Sequence, residues 1–296
     1  MDKNVVKGVL LASFAGICWG SMSVAAQYLM SECGFKVLDL TSLRLFGAGV
    51  ILVIADMMIN GVKNSLGVFR KENFWIVLIY GFGLLASQAT FFLSIAASSA
   101  ATATIIVMTT PVFLIAYMAL AQSRRIRPME MIALLSALVG VVLILTKGDF
   151  TVMEFSAAGV VWGLVNAMCG AFCTIEPGPA IRRLSVSPVI GWGMTFSGLA
   201  ACLYNNPFAM DVHWSWLGVL AYAHIVIFGT ITAFWCYLKS MSYVSPSIAS
   251  MLICFEPLSA VILSVVLLGV TFGFVEAIGA CFIFATVVIL ARSGKQ

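Results

Sequence analysis

Along the chain, apolar runs alternate with short polar punctuation, at about 8–30, 38–59, 73–95, 99–120, 128–146, 156–175, 189–205, 215–238, 246–268 and 272–291. The runs are continuous and rich in Leu, Ala, Ile and Gly, and most come close to the roughly 20 residues that a helix needs to cross hydrocarbon. The pattern predicts ten membrane-spanning helices. It does not suit an outer-membrane barrel, whose strands alternate apolar and polar positions. Almost no chain is left over for a domain outside the membrane.

Composition strengthens this reading. Of 296 residues, 62% are hydrophobic and only 9% charged, with mean hydropathy +1.08, against roughly 45–50% apolar and 25% charged in soluble domains. So few charges cannot coat a soluble surface, and soluble enzymes and nucleic-acid binders are excluded. The N-terminal stretch Met1–Lys7 carries two lysines ahead of an apolar run, as a signal peptide does. The run from Gly8 to Met30 is nevertheless of spanning length and nine more follow, so no cleavage is expected. Seven of the eight cysteines lie within apolar runs and only Cys33 falls in a loop, so no disulfide framework is expected. Two histidines, His213 and His224, and no CxxC give no basis for a metal site or cofactor.

The net charge of +4 gains meaning from where the basic residues fall. With a cytoplasmic N-terminus, the inside segments hold Lys3, Lys7, Lys63, Arg70, Lys71, Arg124, Arg125, Arg127, Arg182, Arg183, Lys239, Arg292 and Lys295. Outside stand only Lys36 and Lys147, with Arg44 inside a span. Both termini are therefore expected in the cytoplasm. A miscounted span would exchange the later loops and destroy the bias, so the same distribution supports ten spans.

The chain also repeats itself. With a constant offset of 146, Pro111 falls on Pro257, Glu130 on Glu276, Ile132 on Ile278, and Val141-Val142 on Val287-Val288. Gly20 meets Gly170 at the similar offset of 150. The expected architecture is an all-α membrane protein of two five-helix repeats, 1–146 and 147–296. Five is odd, so the second repeat enters the membrane inverted. Inverted pairs build secondary transporters, with the site near the midplane between the halves.

Glu256-Pro257 is the sharpest chemical feature. A carboxylate near mid-membrane costs roughly 2.5–3.5 kcal/mol on insertion scales, and intramembrane ionisable groups are site candidates for that reason. Pro257 has no N–H, which is expected to free the carbonyl of Ile253. Thr109-Thr110-Pro111 is the matching place in the first repeat, where Pro111 would free the carbonyl of Val107. Its hydroxyls either face a cavity or bond back to their own helix.

Arg44 stands six residues into the second span. It either pairs with Asp39 or forms an electropositive mouth for a carboxylate. His224, in the eighth span, is a proton relay or a packed core histidine. Gln27, Gln88, Thr90 and Asn166 are either glue between helices or cavity lining. Trp19, Trp162, Trp192 and Trp235 lie within spans, where aromatic walls hold cations and rings, whereas Trp75, Trp214 and Trp216 suit the interfacial belt. Glu130 and Glu276 sit near helix starts, favoured by the helix dipole. Gly16 and Gly20 form a GxxxG that permits close helix approach.

Phe14-Ala15-Gly16-Ile17-Cys18-Trp19-Gly20, Leu43-Arg44-Leu45, Ala100 to Thr104 ahead of Pro111, and Phe255-Glu256-Pro257-Leu258, set on ten spans in inverted halves, resemble bacterial EamA-type transporters of the drug/metabolite transporter superfamily. The resemblance implies a basket in which spans one to four and six to nine line a central cavity and spans five and ten are peripheral. It implies uptake or export of amino acids, metabolites or organic drugs across the inner membrane. One departure is that the Leu-Gly-Glu stretch of such proteins reads Gln122-Ser123-Arg124 and Leu268-Gly269-Val270 here, so no role is carried to those loops.

The expectation is a secondary transporter of a small organic solute working by alternating access, with protons as the coupling ion, as a monomer or homodimer. The residues expected at the site are Glu256, His224, Thr110, Thr109, Gln88, Gln27, Asn166, Trp19 and Arg44, with Pro111 and Pro257 as helix breaks. The rivals are a membrane enzyme acting on lipid or prenyl groups, for which no DDxxD or HxxxH is present, and a facilitative channel. Without GxxxxGK[ST] the chain itself does not use nucleotide hydrolysis.

Overall fold

The computed structural model describes residues 3–121, 157–205, 210–244, 255–269 and 273–293, with 128, 129, 131, 132, 135, 136, 139, 140, 143, 249, 252 and 253. Glu130, Arg124, Arg125, Arg127, Lys147, Cys254, Lys295 and much of the fifth span lie outside the described residues, as do the side chains of Pro111 and Glu276. The described elements are helical throughout.

The first repeat holds α1 (Lys3–Glu32), α2 (Val37–Asn60), a short α3 (Val62–Ser65) with a 3-10 turn (Leu66–Phe69), α4 (Lys71–Ala97), α5 (Ala100–Val107) and α6 (Thr110–Ala121). The second holds α7 (Ala157–Ile175), a short α8 (Gly178–Arg183), α9 (Val186–Tyr204), α10 (Trp216–Val226), a π-turn (Ile227–Thr232), α11 (Ala233–Ser240), α12 (Phe255–Leu268) and α13 (Phe274–Ser293). Six helical segments among the described residues are long and apolar enough to cross a membrane, and Ala100–Leu114 and Phe255–Leu268 are shorter apolar segments, the first of them divided between α5 and α6. Leu10, Ile54, Phe82 and Leu203 stand exposed on the outside, as suits a chain whose surrounding solvent is hydrocarbon.

Two spans expected as single helices are interrupted. The fourth breaks between α5 and α6, where Met108 N–H donates to Ile105 O (3.0 Å) and Thr109 N–H to Ile106 O (2.9 Å). These i−3 bonds tighten the last turn ahead of Pro111, which lacks an N–H of its own. The eighth contains the π-turn, where Thr230 Oγ1 reaches five residues back to Ile225 O (2.8 Å). Serines start helices on both sides of the chain: Ser99 Oγ accepts from Thr102 N (3.1 Å) and Ser215 Oγ from Gly218 N (3.0 Å), satisfying donors that a helix start leaves open.

Helix packing follows a two-fold pattern. The helix α1 packs on α12, and its repeat counterpart α7 packs on α5 and α6. It also packs on α10 and α11, while α7 packs on α4. The helix α2 meets its own counterpart α9, and α5 meets α12. Ser136 Oγ donates to Phe282 O (2.7 Å), 146 residues away, so spans five and ten also meet at equivalent points. Small residues make the closest crossings. A Cβ on Gly20 would strike Ser259 Oγ and Glu256 O on α12, and one on Gly198 would strike the Phe46 backbone on α2. Gly16 lies against Phe255 and Glu256 in the same way, so the GxxxG serves the α1–α12 contact.

Candidate functional site

A cavity of about 160 Å³ lies between the two repeats. The first repeat contributes Trp19 and Met22 from α1, Tyr80, Ser87, Gln88 and Phe91 from α4, and Thr110 and Leu114 from α6. The second contributes Asn166, Gly170 and Thr174 from α7, Phe234 and Tyr237 from α11, and Glu256 from α12. By volume it matches the roughly 150 Å³ cavity that accommodates a benzene ring. Spans two and seven, expected to line the cavity, supply none of its lining residues. Gly49 on α2 sits against the Thr195 and Met194 backbone of α9, and so close a contact leaves no space between those helices.

Glu256 is 5% exposed and is the single charged residue among the lining side chains. Its carboxyl makes no hydrogen bond or ion pair to the described residues. It stands in the first turn of α12, where Gly16 and Gly20 bring α1 against its backbone. The carbonyl of Ile253 is not left free as Pro257 suggested, because Glu256 N–H donates to it (2.7 Å) in a tight turn. The carbonyl of Val107 is likewise occupied, by Thr110 Oγ1 (2.6 Å). Thr109 Oγ1 donates to Ile106 O (2.8 Å), and Thr109 is buried away from the cavity lining. Both threonines thus bond back to their own helix. Thr110 still lines the cavity, opposite in the repeat to Glu256.

Arg44 does not pair with Asp39. Asp39 accepts from Asn205 Nδ2 (2.7 Å) and from Lys36 N (3.2 Å), bonds that hold the start of α2. Arg44 is completely buried instead, donating to Gln88 Oε1 and to Met22 Sδ (2.9 Å), with its guanidinium 4.8 Å from the centre of the Phe92 ring. Both Gln88 and Met22 line the cavity, so Arg44 stands directly behind its wall.

The remaining candidates divide. Asn166 lines the cavity and donates through Nδ2 to Ser87 O (2.5 Å) and Ser87 Oγ (3.2 Å). Trp19 lines it with its edge against Phe234 (5.1 Å) and Tyr237 (5.2 Å). Gln27 is glue: its Oε1 accepts from Ala100 N (2.8 Å) at the start of α5. Thr90 bonds to Ala86 O (2.7 Å) and Ser87 O (3.0 Å) within its helix. His224 lies outside the lining, bonded to Ser21 Oγ (2.9 Å) and stacked on Phe228. Trp192 donates to Ser65 O (3.1 Å), and Trp162 and Trp235 are partly exposed on the outer surface, so the aromatic wall is Trp19 with Tyr80, Phe91, Phe234 and Tyr237. Those four, with Ser87, were not singled out from the sequence. Tyr80, Leu84, Ser87 and Phe91 recur at three- to four-residue spacing along the α4 face that carries Gln88, and that spacing was the available signal.

Comparison with known proteins places this geometry. The chain is 34% identical over 290 residues, 98% of its own length and 97% of the other's, to a protein of Salmonella typhimurium strain LT2 described as an uncharacterized inner membrane transporter, YicL. A solved crystal structure superposes with a TM-score of 0.69 over 98% of this chain and 99% of its own, at 18% identity, and so shows the fold alone. The model of the EamA-like transporter family matches twice, over residues 6–146 and 157–292. With the repeat present in duplicate along almost its whole length, the chain belongs to the EamA-like transporter family and is a membrane transporter.

Proposed function

We propose that the protein is a secondary transporter that moves a small organic solute across the bacterial inner membrane by alternating access, coupled to protons through Glu256. Two inverted five-helix halves, 1–146 and 147–296, rock about the shared cavity, with both termini in the cytoplasm. The carrying observation is a carboxyl in the cavity wall with no partner among the described residues, on a surface built jointly by both repeats. An intramembrane carboxyl without a partner either holds a proton or awaits a cation, and exchange between those two states couples one flux to the other.

The two-fold packing pattern supports the inverted arrangement, and the distribution of basic residues supports cytoplasmic termini. The aromatic wall favours an organic solute with a ring or an amine, by stacking and cation–π contact. Thermal-shift binding screens of the purified protein against amino acids, polyamines, quaternary amines and aromatic metabolites test the solute class. Stabilisation by ring- or amine-bearing solutes that is lost in Trp19→Ala is the expected result. Absence of stabilisation by every class would contradict it.

A further inference from the structure

We infer that Arg44 is a positioning residue that sets the polarity of the cavity wall: by taking the amide oxygen of Gln88 it turns the Gln88 NH2 into the donor that meets a carboxylate or carbonyl on the solute. The inference rests on the transport reading above and adds the chemistry of one end of the solute.

A guanidinium has donors only, so whatever hydrogen-bonds to it must present an acceptor. Arg44 is completely buried, and its partners, Gln88 Oε1, Met22 Sδ and the Phe92 ring, are all uncharged. Its Nε has no hydrogen-bond partner among the described residues. The charge is therefore not neutralised by its immediate neighbours, and a buried charge in that condition is costly unless a bound group compensates it. With one lone pair of its oxygen taken by Arg44, Gln88 has an NH2 that is wholly unused, making no hydrogen bond to the described residues.

Asn166 is arranged in the opposite sense. Its NH2 is used twice, on Ser87 O and Ser87 Oγ, so what it has left to offer is its carbonyl oxygen. The wall then presents a donor from α4, an acceptor from α7 and the Glu256 carboxyl from α12. Solute acceptors belong at Gln88, with the Arg44 charge behind it, and solute donors belong at Asn166 and Glu256. A charge-assisted contact of this kind contributes more than a neutral hydrogen bond.

Three ring-bearing amines that differ in one group test this in the purified full-length protein: phenethylamine, which lacks an acceptor, phenylalaninamide, which adds a carbonyl, and phenylalanine, which adds a carboxylate. Affinity is read from the dependence of the unfolding temperature on probe concentration. The wild type is expected to prefer one or both acceptor-bearing probes by about tenfold or more over phenethylamine. Gln88→Glu keeps the partnership with Arg44 but offers only acceptors, so this ratio should fall to about one for the carboxylate probe. Arg44→Met frees the Gln88 amide and should reduce the ratio, whereas Arg44→Lys, which donates to the same oxygen, should retain most of it. If Arg44→Met does not fold, Gln88→Glu alone decides. Undiminished preference in Gln88→Glu overturns the inference, as does a wild type that binds all three probes equally. A wild type that binds none of them overturns the inference and the proposed organic-amine solute together.

Discussion

Thr110 and Glu256, each followed by a proline, stand at equivalent positions of the two repeats and line one cavity, yet their side chains are in opposite conditions. The Thr110 hydroxyl is satisfied by its own helix, through Val107 O. The Glu256 carboxyl is satisfied by nothing among the described residues. The frame is two-fold and the chemistry is one-sided. Of these two equivalent positions, only one carries a group able to gain and lose a proton. The glycines behind the two positions differ in the same direction: a Cβ on Gly20 would strike Glu256 O and Ser259 Oγ, whereas one on Gly170 would stand 3.6 Å from Thr110 Cγ2, in ordinary contact.

This difference in space gives the largest expected effect. Gly20→Ala should destabilise the purified protein by about 3 kcal/mol, the upper part of the range for overpacking, because besides Ser259 Oγ it meets the Glu256 carbonyl oxygen, backbone that cannot rotate away. Gly170→Ala should be nearly neutral. Unfolding temperatures of the two variants side by side check the contrast, and equal losses would remove it.

Next in size is Gln27→Met, which leaves Ala100 N without its acceptor at the start of the helix preceding the first break and should cost about 1 kcal/mol. Thr110→Val follows. It removes the bond to Val107 O and should cost about 0.6 kcal/mol, the average for polar contacts inside membrane proteins, while leaving proton-driven transport intact. Loss of driven transport in Thr110→Val would mean that the two positions are functionally alike. The smallest effect is expected for His224→Phe: the residue is stacked on Phe228 outside the cavity lining, so uptake driven by a pH gradient should proceed at the parent rate.

The parts legible in the sequence are those with long-range regularity. Apolar runs announced a helical membrane chain, and the offset of 146 announced a duplication, which the family model matches over residues 6–146 and 157–292. Partners were not legible. Asp39 was the nearest acid to Arg44 along the chain, but a helix-start aspartate is used to hold Lys36 N and Asn205, and the guanidinium turned to α1 and α4 instead. The free carbonyls expected at the prolines were missed for a related reason, since a tight turn at Ile253 and the Thr110 hydroxyl occupy them locally. The π-turn in the eighth span leaves no mark on an apolar pattern, and the aromatic wall needed α1, α4 and α11 to be brought together in space.

The central claim is that the Glu256 carboxyl couples solute movement to protons. Its most direct test is uptake of a bound solute into proteoliposomes under an imposed pH gradient, comparing wild type with Glu256→Gln. The glutamine keeps the shape and hydrogen-bonding capacity of a protonated carboxyl but releases no proton. The prediction is that the wild type concentrates solute against its gradient, whereas Glu256→Gln, folded and still binding a neutral solute, does not. Accumulation by Glu256→Gln at the parent rate would contradict the account.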